Sequence, residues 1–214
     1  GPKVLGELPK PNHIAVSEIV EATKGKDAVV IDTRNRTEFM SGHLYGSILA
    51  MMNKTFNTIA GSYVTDEQDI YLIIDESKVD EAVVDLIRIG LDNIKGFATP
   101  ADLIDSGVEL ESTETVNFDQ VDELLQKGGY TLLDVRKKTE FDEGHGEGAL
   151  NIAHTRLLDR MEEVPANQPV IVHCKSGARA SAASSLLERK GHTVFYVDDL
   201  VEPWLERTNR MVQA

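Results

Sequence analysis

The sequence predicts an α/β protein made of two copies of one small domain, each a mostly parallel sheet flanked by helices on both faces. Three observations predict it. Residues 32–46 (DTRNRTEFMSGHLYG) return at 134–148 (DVRKKTEFDEGHGEG), with eight of fifteen positions identical and an offset of 134 − 32 = 102. Short continuous apolar runs alternate with helical patterns, which is how strands covered on both faces by helices read. The helical patterns stop at glycines, the residue that best tolerates the left-handed turn at a helix end.

The elements follow in the same order in each copy. The offset of 102 also pairs Ile14 with Val116, Val16 with Phe118, Ile19 with Val121 and Ile31 with Leu133. Domains are therefore expected at 12–107 and 116–214, with the polar stretch 108–115 (VELESTET) as the linker between them. A short helix opens each copy, with Ser17 or Asp119 as the expected N-cap. A strand follows at 28–31 or 130–133, then the shared motif as a turn and a helical segment closed by Gly42 or Gly144. A second strand is expected at 70–74 or 169–172, and a helix at 80–89 or 180–190, stopped by Gly90 or Gly191. A third strand, 194–197, closes the second copy. Residues 1–11 hold three of the chain's seven prolines and read as an interdomain linker. The chain starts without Met, so a fragment of a longer protein is the expectation.

Composition narrows the function. Of 214 residues, 41% are hydrophobic and 27% charged, ordinary for a globular protein. The net charge of −14 opposes binding to a phosphate backbone, so no nucleic-acid partner is expected. No apolar run approaches the roughly 18 residues of a membrane span. One cysteine excludes an intramolecular disulfide and any multi-thiolate zinc site. A cytoplasmic setting and no metal or organic cofactor are the expectations.

The lone cysteine sits where chemistry would be placed. The second-copy strand VIVH ends at Cys174, and Lys175-Ser176-Gly177-Ala178-Arg179 leads into a helix. In open α/β sheets ligands bind beyond the carboxyl ends of the strands. A loop entering a helix there aims several backbone N–H groups at one point. Gly177 lets the loop turn, and Lys175 and Arg179 add positive charge. Each feature favours a thiolate over a thiol, which makes Cys174 the candidate nucleophile.

Asp134-Val135-Arg136, Glu140-Phe141, Gly144-His145 and the loop from Cys174 to Arg179 together resemble the rhodanese homology domain, a family of sulfurtransferases. The resemblance runs over nearly the whole chain as a tandem pair. It implies two rhodanese-like domains and a cysteine that carries sulfane sulfur as a persulfide. It also implies that Cys174 is catalytic and that Lys175, Ser176, Gly177, Ala178 and Arg179 form the substrate cradle. Family members often carry Gly-Gly between the last strand and a Trp; here residues 198–204 read DDLVEPW. A first copy without a cysteine followed by an active second copy is similar to the C-terminal part of metallo-β-lactamase-fold proteins fused to rhodanese domains. That likeness implies an N-terminal partner domain outside this chain and a role in persulfide oxidation and sulfide detoxification.

The expected reaction moves sulfur from thiosulfate or a thiol persulfide through Cys174 to a thiol or cyanide, with Arg179 and Lys175 holding an anionic donor. Two other readings compete. One is a docking module within a larger sulfur-transferring protein. The other is a cysteine-dependent phosphatase, whose cradle in rhodanese-like phosphatases has five residues between Cys and Arg; here there are four.

In the first copy Asp75 is expected at the place of Cys174, in an acidic loop two residues shorter and without a thiol. That copy is expected to be inactive, and Asp75 with Glu76 reads as a solvated loop rather than a metal site. His43 and His145, Asp32 and Asp134, Arg34 and Arg136, Glu38 and Glu140 occur in both copies, so a structural role is expected for each. Arg34–Glu38 and Arg136–Glu140 have the spacing of helix ion pairs. His173, next to Cys174 on a strand, is expected to face the other way.

Overall fold

The computed structural model describes residues 6–24 and 27–212, with side chains described as far as Thr208. The chain divides into two compact units, Gly1–Phe39 with His43–Glu111 and Met40–Gly42 with Ser112–Ala214. Residues 1–5 of the expected opening linker lie outside the described residues.

The first segment runs β1 (Asn12–His13), α1 (Val16–Thr23), β2 (Ala28–Asp32), α2 (Arg36–Ser41), β3 (Ile48–Leu49) and α3 (Phe56–Tyr63). It continues with β4 (Asp69–Ile73), a 3-10 turn (Glu76–Lys78), α4 (Val79–Arg88), β5 (Ile94–Ala98) and α5 (Pro100–Asp105). Its strands lie in the order β1-β5-β4-β2-β3, and every pairing is parallel. All five residues of β2 are buried, as a strand covered on both faces requires. Val16, Ile19, Val30, Leu44, Ile73, Ala98 and Leu103 form one apolar cluster of this unit.

The second segment repeats the design. It runs β6 (Glu114–Val116), α6 (Phe118–Lys127), β7 (Thr131–Asp134), α7 (Lys138–Glu143), β8 (Leu150–Asn151) and two 3-10 turns (His154–Arg156, Met161–Glu163). It closes with β9 (Val170–His173), α8 (Ala178–Arg189), β10 (Val194–Val197) and α9 (Val201–Val212). The order is β6-β10-β9-β7-β8, again all parallel. Both sheets thus have the same connectivity, and the α/β fold with two helix-flanked parallel sheets is the one expected. In α8 every residue from Ala180 to Leu187 is buried. Its run of Ala and Ser leaves little side-chain bulk between the helix and its neighbours. Phe118 and Trp204 stack at 4.6 Å within the apolar cluster that also holds Ile171 and Val197.

Several local expectations are corrected. Ser17 does not cap α1, which starts at Val16 after the extended Ala15 and has no side-chain cap. Asp119 lies inside the first turn of α6, because Asn117 caps that helix: its side chain accepts from Gln120 N (2.9 Å) while Gln120 Oε1 accepts from Asn117 N (2.9 Å). The expected linker is shorter than 108–115, since Glu114 and Thr115 belong to β6. This edge strand leaves those two residues exposed, so their polarity reads as linker though they pair with β10. The edge strands β1, β3, β6 and β8 have two or three residues each, too short for a period-2 signal.

Candidate active site

β9 lies in the middle of its sheet, between β10 and β7, and Cys174 is the first residue past its carboxyl end. The loop from Cys174 leads into α8 with Gly177 at the N-cap. Gly177 has φ +98°, a left-handed conformation that L side chains rarely adopt. A Cβ there would lie 2.6 Å from Asp198 Oδ1 and 2.7 Å from the Tyr196 hydroxyl, so the position needs glycine on two counts. Tyr196 Oη donates to Gly177 O (3.0 Å) and Val201 N donates to Lys175 O (3.0 Å), fixing the loop against β10 and α9.

The Cys174 side chain is 2% exposed, and its sulfur accepts backbone N–H groups from Gly177 (3.2 Å) and Ala180 (3.3 Å). Both donors come from the N-terminal end of a 12-residue helix, whose unpaired N–H groups favour negative charge. Of the expected cradle residues Lys175, Ser176, Gly177, Ala178 and Arg179, Gly177 bonds the sulfur directly, and the second donor, Ala180, lies one residue beyond them.

Both cations of the loop are ion-paired in the structure. Arg179 Nη1 and Nη2 donate to Glu140 Oε2 (2.6 Å) and Oε1 (2.8 Å) in a two-pronged pair. Its guanidinium fork is engaged by a carboxylate of α7. The Arg179 hydrogen bonds bring the Glu140 carboxyl down to about 2, and Glu140 in turn raises Arg179. Lys175 Nζ lies 3.1 Å from Glu202 Oε1, with both side chains largely exposed.

The expected pairs Arg34–Glu38 and Arg136–Glu140 are corrected too. Arg136 Nε and Nη2 reach the buried Asp134 at 2.6–3.0 Å, and Arg34 does the same to Asp32 at 2.8–3.2 Å. A guanidinium buried at a strand end takes the buried acid two residues back, since an unpaired buried charge is costly. Glu38 instead joins Asn35, whose side-chain Oδ1 accepts from Glu38 N (2.9 Å). His43 and His145 are each tied to the helix that precedes them. His43 Nδ1 donates to Phe39 O (2.8 Å) and stacks on Phe39, and His145 does the same with Phe141 O (2.8 Å) and its ring.

His173 turns away from the loop, as strand alternation requires. It is wholly buried, packs edge-on to Phe118 and Trp204, and donates from Nδ1 to Cys174 O (3.3 Å). Burial holds it in its neutral form, against the pull of Asp134. Sequence reasoning passed over His154, on the 3-10 turn packed against α8. Burial, with Arg179 and Lys137 next, lowers its protonation range. It also missed that Glu140 anchors Arg179, because a contact between positions 39 apart leaves no periodic trace. The one available signal was a glutamate in the first turn of α7.

The strand register places the first-copy counterpart. Asp32 faces Ile73 across β2–β4, and Asp134 faces His173 across β7–β9. Ile74 therefore holds the place of Cys174, and Asp75 that of Lys175, one residue later than expected. Counted to the helix-ending glycines, the spans are 90 − 74 = 16 and 191 − 174 = 17, so the first loop is one residue shorter rather than two. Ile74 is fully buried. After it the chain coils into the 3-10 turn Glu76–Lys78, with Lys78 N donating to Asp75 O (2.8 Å). Among the described residues no group of three His, Cys, Asp or Glu side chains could hold a metal ion, and no helix is long and apolar enough to cross a membrane.

A buried thiol ringed by helix-start N–H groups, beyond the central strand of a parallel sheet, defines a cysteine-loop α/β domain. Residues 117–207, within the second unit, match the family model described as Rhodanese-like domain. The uncharacterized protein YqhL of Bacillus subtilis is 37% identical over 65 residues, 30% of this chain and 52% of that protein. The chain thus spans about half the length of that curated relative. Among solved structures, a rhodanese-related protein from Thermoplasma volcanium is 26% identical, covering 44% of this chain and 92% of its own at a TM-score of 0.41. The reduced CoADR-RHD of Bacillus anthracis is 36% identical, covering 42% of this chain and 16% of its own at 0.40. A thiosulfate sulfurtransferase from Pseudomonas aeruginosa is 17% identical, covering 91% of this chain and 44% of its own at 0.42.

Proposed function

We propose that the second unit is a sulfurtransferase that carries sulfane sulfur on Cys174, and that the first unit is not catalytic. The observation that carries the reading is the pair of N–H donors on Cys174 Sγ at the start of α8. The Cys174 thiolate attacks the outer sulfur of a donor. An Sγ–S bond forms, the donor's S–S bond breaks, and the donor's remainder leaves as a thiolate or as sulfite. The resulting persulfide anion sits where backbone N–H groups offset its charge without reorganising. A thiol or cyanide then attacks the outer sulfur and releases the Cys174 thiolate. Neither half changes the overall oxidation level, so no external oxidant or reductant is required.

Residues 174–180 divide the work. Gly177 and Ala180 supply the donors on sulfur, Gly177 also supplies the backbone turn, and Arg179 pins the start of α8 to α7 through Glu140. The test is the intact mass of the protein after incubation with thiosulfate and, separately, with a thiol persulfide. One added sulfur, removed by cyanide and absent from Cys174→Ser, is the expected result. No uptake from any donor would overturn the reading and leave a non-catalytic module.

A further inference from the structure

We infer that His154 is the base of the second half-reaction: it takes the proton of an acceptor thiol as that thiol removes sulfur from Cys174. This rests on the sulfurtransferase reading and adds to it a residue outside the loop. The backbone sets His154 on the carboxyl edge of the sheet, in one row with the cysteine. His154 N donates to Val135 O (3.0 Å), and Val135 N donates to the carbonyl of His173 (3.0 Å), the residue before Cys174. Asp134 faces His173 on β9 and Asn151 on β8, so the next residue of each strand, Cys174, Val135 and Ile152, turns to the opposite face. Ala153 is extended (φ −54°, ψ 137°), and alternation returns His154 to that same face. The Cys174 sulfur meets the start of α8 there, and the turn His154–Arg156 packs against the same helix. Two inter-strand steps of roughly 4.8 Å separate the two backbones by about 10 Å. A persulfide sulfur and an attacking thiol fit between two side chains so spaced.

The ring is not used to hold the fold. His145 and His173 each bond a backbone oxygen through Nδ1. Nδ1 of His154 is enclosed and bonds no described residue, which leaves Nε2 as the nitrogen a thiol can reach. The charged groups acting on the ring are Arg179 at the start of α8, and Lys137 and Glu140 at the start of α7. Burial, then Arg179 and Lys137, keep the imidazole neutral near pH 7 against the opposing pull of Glu140. A neutral imidazole accepts a proton, and the two cations that oppose its protonation also favour the thiolate it makes. The step balances without a redox partner. Nε2 takes the thiol proton, the thiol sulfur bonds the outer sulfur of the Cys174 persulfide, and the Sγ–S bond breaks. The Cys174 thiolate returns to Gly177 N and Ala180 N, the product leaves as a persulfide anion, and the imidazolium gives its proton to solvent.

The test loads Cys174 with one sulfur from glutathione persulfide, removes the donor, and follows unloading by rapid quench and intact mass. Two acceptors are compared: 2-mercaptoethanol, a thiol still protonated at neutral pH, and 5-thio-2-nitrobenzoate, an aryl thiolate already ionised there. The readout is the ratio of their unloading rates, which cancels general damage to the loop. His154→Gln is expected to lower the mercaptoethanol-to-thionitrobenzoate ratio on the order of a hundredfold, the scale of general base catalysis. In the parent protein, unloading by 2-mercaptoethanol should level off once His154 is neutral, well before the thiol itself ionises at about pH 8.5 or above. That profile needs no variant, so it decides the matter even if His154→Gln does not load. An unchanged ratio, or a parent rate that climbs in step with thiolate formation, would overturn the role of His154 and leave the sulfurtransferase reading standing. No loading of the parent protein from any donor would overturn both.

Discussion

The segments after β4 and β9 start from the same place and diverge within one residue. Each leaves a central strand of a sheet with the same order, beside a buried Asp–Arg pair with nearly the same geometry. After β9 the chain places a thiol, turns at a left-handed glycine, and aims the start of a 12-residue helix back at the sulfur. After β4 it places a buried isoleucine and spends its next residues in a 3-10 turn bonded to itself. The frame is therefore kept by packing and by the Asp–Arg pair, independently of whether a nucleophile is present. A sheet of this kind does not need its loop to be chemically competent in order to fold.

The largest expected effect tests that shared frame. Asp134→Ala and Asp32→Ala each leave a buried arginine without its partner, at an expected cost of about 3–5 kcal/mol to the unit concerned. Trp204, the chain's one tryptophan, is buried in the second unit. Its fluorescence in denaturant should report the first substitution, and hydrogen exchange of β2 and β4 the second. A large effect in one unit and none in the other would break the equivalence of the two frames.

Next come the glycines that the second copy needs and the first does not. Leu44 is buried at the place of Gly146. A Cβ on Gly146 would meet the Trp204 ring at 2.3 Å, so Gly146→Ala should cost about 1–3 kcal/mol through overpacking, read from the urea midpoint. Gly177→Ala combines the left-handed strain, about 1–2 kcal/mol, with a clash on Asp198 and Tyr196. It should also slow sulfur loading by at least tenfold, because the loop cannot keep Gly177 N on the sulfur.

Acid should then separate the neutral histidines from the Arg179–Glu140 clasp. His173 and His154 are lowered by burial, so the unfolded chain binds their protons more readily than the folded one. Their contribution is fully present above about pH 6.5 and is lost as the pH falls below it. Glu140 is lowered to about 2 by Arg179, so its contribution is present above the ordinary carboxylate range and is lost only as the pH falls toward 2. Denaturant unfolding followed by Trp204 should therefore weaken between pH 7.5 and 5.5, and His173→Asn should flatten that slope. An unchanged slope in His173→Asn would remove this histidine from the account.

The smallest expected effect is a null result that sharpens the comparison. Ile74→Cys puts a thiol at the register position of Cys174, and the second-unit Cys174→Ser background keeps the assay clean. No sulfur should load, because the chain after Ile74 turns on itself instead of opening a helix start toward the side chain. Loading there, seen by intact mass, would mean that the strand end alone suffices.

Much of this was legible before any coordinate. The 102-residue repeat, the buried strands and the glycine stops identified two α/β copies, because hydrophobic periodicity and turn chemistry are local properties of the chain. The lone cysteine before a Gly-containing loop marked the candidate site for the same reason, and strand alternation turned His173 away from it. Ion-pair partners were legible only where the local pattern agreed with the packing. Arg136 chose buried Asp134 over Glu140, and Glu140 chose Arg179, because burial and the meeting of α7 with α8 decide which charges lose their water. Likewise Ile74 rather than Asp75 sits at the cysteine's place, since register is set by inter-strand hydrogen bonds and not by counting from either end of a loop. The sequence by itself determined the repeated frame and where a nucleophile could stand; the tertiary structure decided which carboxylates answer its cations, because that depends on elements brought together only when the sheet is formed.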